Sequence, residues 1–223
     1  MKNCNGPENQ RSRRILIVAG IPALAAAFTI ALPRPAHARR VTPPPVPTVI
    51  QVPAGNKAFF EGHAVGTQNY SCLPSSTGVA WTLFGPQATL FDDDVKQVMT
   101  HFLSPNPFDN AGAGMPRATW QHSRDTSTVW GLLVPGASST DPHFVAPGAI
   151  PWLLLQVVGA QDGPAGGDKL TPTTYIQRLN TSGGVAPSTG CTLSTDVGKR
   201  ALVPYTADYF FFRHLGTGAD DDD

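Results

Sequence analysis

Glu61 and His63 stand two residues apart, so an extended chain places both on one face. A carboxylate beside an imidazole can act as a general base, or as a metal ligand with its orienting partner. The same spacing also describes the solvent face of an amphipathic strand. His101, His122 and His143 add three imidazoles, a number that suits zinc or copper. None of the three lies at close ligand spacing to another, and the segments around them are unconnected. His63, His101, His122 and His143 are therefore the candidate metal ligands, but their spacing supplies no metal motif. No cofactor is expected.

Binding chemistry is carried by other residues. Trp120 and His122 share a strand face and form a stacking platform for a sugar or an aromatic ligand. Arg178 precedes Asn180-Thr181-Ser182-Gly183-Gly184, where glycines permit close approach of a ligand and the guanidinium suits a carboxylate or phosphate. The alternative is a tight turn capped by Asn180 and Thr181. Tyr205 adds a second aromatic centre. The candidate ligand-binding residues are thus Trp120, His122, Arg178, Asn180 and Tyr205; no catalytic residue is identified. Gly112-Ala113-Gly114 is half a dinucleotide fingerprint, but Arg117 replaces the third glycine and Pro116 disrupts the helix start it needs. The chain has no Gly-x-Ser-x-Gly elbow, no His-Glu-x-x-His and no phosphate loop.

These residues must be positioned by short strands. Residues 57–72 alternate, with Ala58, Phe60, Gly62, Ala64, Gly66, Tyr70 and Cys72 making one small or apolar row. Further strands are predicted at 79–84, 88–91, 96–102, 118–122, 128–134 and 173–179. Asp92-Asp93-Asp94 marks one hairpin turn and residues 123–127 another. Residues 150–158 and 207–212 are nearly continuous apolar runs, which predicts central strands buried on both faces. No long amphipathic helix is present. The fold class is all-β: one domain, an antiparallel β-sandwich or barrel, with long loops at 103–117, 135–149, 159–172 and 180–190.

The chain ends suggest export. Arg11, Arg13 and Arg14 precede an apolar, alanine-rich run from Ile15 to Leu32, and Ala36-His37-Ala38 offers a cleavage site. Residues 1–38 are therefore expected to be a cleaved signal peptide, with no membrane span remaining. Arg13-Arg14 resembles a twin-arginine start, an ordinary basic leader being the alternative. Residues 39–53 form a proline-rich arm, 54–214 the β domain, and 215–223 a disordered acidic tail. The full chain balances 16 basic against 16 acidic side chains. Cleavage would leave a net charge of about −4, which argues against nucleic acid or an anionic membrane as partner. Two cysteines would remain, Cys72 and Cys191, and in a secreted or periplasmic protein an even pair predicts a disulfide.

Several blocks carry a resemblance: residues 53–57, 66–72, 118–121, 147–155, 175–181 and 204–209. Together they resemble a family of exported bacterial and fungal proteins carrying a domain of unknown function, some of whose members are named malate dehydrogenase. The resemblance implies export and a Cys72–Cys191 pair, and supplies no catalytic residues. The broken glycine fingerprint gives the dehydrogenase name no support. The functional expectation is an exported module that binds a glycan or small molecule through its long loops, without catalysis. Two alternatives are a histidine-based metal-dependent hydrolase or oxidase, and a structural envelope or wall-associated protein.

Overall fold

The computed structural model describes residues 41–109 and 114–216. The expected signal segment, most of the acidic tail and Gly112-Ala113 lie outside these residues. Eight strands follow one another: β1 (Asn56–Ser75), β2 (Gly78–Phe91), β3 (Gln97–Asn106), β4 (Met115–His122), β5 (Thr128–Ser139), β6 (Trp152–Gln161), β7 (Thr173–Gly183) and β8 (Arg200–His214). Each pairs antiparallel with the next, and β8 returns to β1, so the sheet is a closed barrel rather than a sandwich. Helix is confined to two short 3-10 turns among the described residues, Thr48–Ile50 and Ser194–Asp196.

Alternation sorts the side chains into an inner and an outer set. The inner core gathers Ala64, Leu90, Met99, Trp120, Val129, Leu155, Ile176, Tyr209 and Phe211. The inward row of β1 is small because its neighbours are close. A Cβ on Gly66 would lie 2.2 Å from the Gln87 carbonyl oxygen, so no other residue fits there unless the backbone moves. That economy leaves the interior to the aromatic rings of β4 and β8.

The second core lies outside the barrel. Trp152, Leu154, Leu179, Phe210 and Phe212 turn outward on β6, β7 and β8. Val41, Val46, Ile50 and Val52 of the proline-rich arm pack over them. Ile50 is fully buried, and its carbonyl accepts a hydrogen bond from Gln177 Nε2 at 2.7 Å. The arm is therefore a lid on an apolar sheet face, which explains why β8 reads as apolar on both sides.

The strands run further than their sequence signals suggest. The predicted segments 79–84 and 88–91 are one strand, β2, which passes through Gly85-Pro86. The register on β1 shifts here, Asn69 facing Gly85 and Tyr70 facing Leu83, so Phe84 is the extra residue of a bulge. The predicted loops shorten accordingly. β3 continues to Asn106, β5 to Ser139, β6 to Gln161 and β7 to Gly183.

Candidate functional site: an apolar cup in the open end of the barrel

One end of the barrel is plugged. Asp125, in the β4–β5 turn, accepts hydrogen bonds from the Lys169 amide (2.8 Å) and from the Ser127 amide and hydroxyl (2.9 and 2.7 Å). Burial alone would raise its pKa, but these donors outweigh it and hold the carboxyl down to about 2. The Leu170 amide donates to Ser127 Oγ at 3.0 Å, and the Leu170 side chain is fully buried in the inner core. The 162–172 connection is thus latched across this end.

The opposite end holds a cavity of about 320 Å³. His101, Trp120 and Tyr209 line its depth, and Leu103, Ala118, Leu153 and Leu155 its walls. Leu83, Phe84 and Pro86 line its β2 side, with Phe84 72 % exposed at the bulge. Polar groups enter from Gln68 and Arg178. The register explains the convergence: His101 faces Trp120 across β3–β4, and Arg178 faces both Leu153 and Tyr209 across β7.

The deep end is aromatic and uncharged. The His101 ring lies flat on the Trp120 indole, and Tyr209 meets both rings edge-on. His101 Nδ1 lies 2.9 Å from the Thr119 carbonyl. A carbonyl only accepts, so Nδ1 carries the proton and Nε2 is the basic nitrogen. Full burial is the main cause that drives the His101 pKa down to about 3, and the Arg178 charge adds to it. Burial likewise raises the phenol pKa of Tyr209.

Arg178 is half-buried. Its Nε and Nη2 donate to the Pro151 carbonyl at 3.2 and 2.8 Å. Among the described residues no carboxylate forms an ion pair with it. The cup lining contains no carboxylate and no thiol. Its chemistry is therefore that of aromatic faces, N–H donors and neutral acceptors such as His101 Nε2.

Of the residues singled out in the sequence, His101, Trp120 and Arg178 meet in this cup. Tyr205 is buried in the barrel just beyond it, its hydroxyl 3.4 Å from that of Tyr209. His122 faces the plugged end, where Nδ1 lies 2.9 Å from Asp125 and the ring meets Phe60 edge-on. Asn180 is outside the barrel and donates to Asp208 at 2.7 Å. Its positive φ of 50° falls where the β7 register shifts against β8. His143 is exposed and bonded to its neighbour Asp141 at 2.8 Å. The four candidate histidines thus occupy four separate settings.

One of those settings has metal-ligand geometry. Ligand atoms of Glu61, His63 and Asp208 lie within 4.8 Å of one another, the only such group among the described residues. His63 Nδ1 is 2.7 Å from Asp208 and Nε2 is 3.1 Å from Asp93. Burial lowers the His63 pKa, but these carboxylates outweigh it and raise it overall. As it stands the group is an ion-pair clasp joining β1, β8 and the β2–β3 turn; a divalent cation would have to displace the imidazole proton.

Gln68 and Tyr209 complete the cup and were not singled out in the sequence. Gln68 had a readable signal, since it is the polar exception in the small and apolar inward row of β1. Cys72 and Cys191 form a disulfide that ties the β7–β8 connection to β1 near the open end. No described helix is long and apolar enough to cross a membrane.

No curated protein and no solved structure matches the chain. A family described as "Protein of unknown function (DUF3455)" matches residues 53–213, which takes in the cup and every strand but the last residue of β8. The chain belongs to that family.

Proposed function

We propose that this protein binds a small, largely apolar molecule in the open end of its barrel and performs no chemistry on it. The observation that carries the reading is the cavity of about 320 Å³ with a stacked His101–Trp120 pair at its depth and leucines around its wall. That volume lies at the lower end of the range for small-molecule sites. Apolar walls favour this ligand over a glycan, whose hydroxyls would find few partners along Leu103, Leu153 and Leu155. The absence of a carboxylate or thiol from the lining supports binding without catalysis. The disulfide supports an exported location, secreted or periplasmic, in keeping with the signal-like sequence of residues 1–38.

The test is titration of the disulfide-intact protein with Nile red, a neutral apolar fluorophore. Saturable emission enhancement near one equivalent is expected, and it should be lost in Leu155→Arg with the barrel intact by circular dichroism. Absence of saturable binding in the wild type, or binding unchanged by Leu155→Arg, defeats the reading.

A further inference from the structure

Three of the side chains that line the cup, Gln68, Trp120 and Arg178, carry N–H donors. Gln68 is 2 % exposed and Trp120 is fully buried, yet neither Gln68 Nε2 nor Trp120 Nε1 has a hydrogen-bond partner. Buried donors are seldom left unpaired, because each has given up its water. The third is Arg178. It donates two bonds to the Pro151 carbonyl and also hydrogen-bonds the Tyr209 phenol; both partners are neutral, so they hold the side chain in place without neutralising it. All three side chains line one cavity whose remaining walls are mostly apolar.

Resting on the reading of the cup as a binding site, we propose that its ligand is a monocarboxylic acid with an apolar body, its carboxylate paired with Arg178 and hydrogen-bonded by the Gln68 amide and the Trp120 indole. An ionised carboxylate is acceptor-only with two oxygens, which complements the guanidinium, amide and indole N–H donors. A cation would meet Arg178 with like charge. A neutral hydrocarbon would fill the walls but leave the donors unmatched. The apolar body would lie along Leu103, Leu153 and Leu155 and emerge past Phe84.

The experiment is displacement of Nile red from the full, disulfide-intact chain by decanoic acid, methyl decanoate and decylamine. Decanoate is expected to displace at least tenfold more tightly than its ester, with the amine weakest. Arg178→Met should bring acid and ester within about threefold of each other, with the barrel intact by circular dichroism. Gln68→Leu should weaken the acid and spare the ester. Equal displacement by acid and ester in the wild type would overturn the proposal and leave apolar binding standing. So would an acid preference that survives Arg178→Met. Failure of Nile red itself to bind would instead remove the reading on which the proposal rests.

Discussion

His101 and Trp120 face each other across β3 and β4 with ring centroids 4.2 Å apart and planes 9° from parallel. The stack makes His101 part of the wall rather than a solvent-accessible base, and it sets the acid response of the fold. An unfolded chain protonates this imidazole near 6.5, whereas the folded chain resists until about 3. Between those values the unfolded state holds more protons, so stability falls as pH drops. Thermal midpoints should decline from pH 7 to pH 4 in the wild type. His101→Phe keeps an aromatic face for Trp120 and has no proton to bind, so its decline should be shallower. Parallel curves for the two proteins would show that another group controls acid unfolding.

Val95 carries the cost of the β2–β3 hairpin. Its φ of 60° is left-handed, a region where a β-branched side chain is crowded, and it is largely exposed with no packing to offset the strain. Val95→Asn should stabilise by about 1 kcal/mol, since asparagine tolerates this backbone. Urea midpoints compare the two proteins, and an unchanged or lower midpoint for the variant contradicts the account.

The disulfide spans 119 residues of sequence. Joining Cys72 and Cys191 removes about 4–5 kcal/mol of loop-closure entropy from the unfolded chain in the chain-entropy model. Cys72→Ala/Cys191→Ala should lose most of that in denaturant unfolding and gain mobility in residues 184–199, readable as faster amide exchange. A loss below about 1 kcal/mol would mean that the backbone bonds there suffice, namely Cys72 N to the Lys199 carbonyl and Gly198 N to the Cys72 carbonyl.

Ile50 tests whether the arm belongs to the fold. It is fully buried against the outward faces of β6, β7 and β8. Ile50→Ala should therefore cost about 2–4 kcal/mol, as for other buried isoleucines. A merely tethered arm would give almost no change in the same unfolding measurement.

The strands were legible wherever one face is buried and turns are punctuated. The alternation of β1, the Asp92-Asp93-Asp94 hairpin and the turn at 123–127 all have local causes. Closure was not legible, because His63 meets Asp208 across a ladder that no local pattern reports. The loops were overestimated because Pro105 and Gly136 look like breakers, yet β3 and β5 run through them. Trp120 and Arg178 could each be picked out as binding residues by type. That they share one cup depends on the register of β4 and of β6–β8, which is a property of the ring and not of any one strand. The histidines misled for the same reason. Their side chains suit metal chemistry, but the barrel distributes them among its interior, its outer wall, its plugged end and an exposed loop.

Ring closure also orders events in time. β1 bonds to β8, the last strand made, and Tyr209 on β8 supplies part of the cup's depth. No N-terminal fragment can hold the finished cavity, however many strands it contains. Contacts of such long sequence separation form slowly. Until the β1–β8 seam zips shut, both strands are open edges able to recruit a neighbouring chain. The hazard of this architecture therefore falls in the interval between synthesis of β8 and closure of the seam, and the protein's susceptibility to aggregation should be decided there.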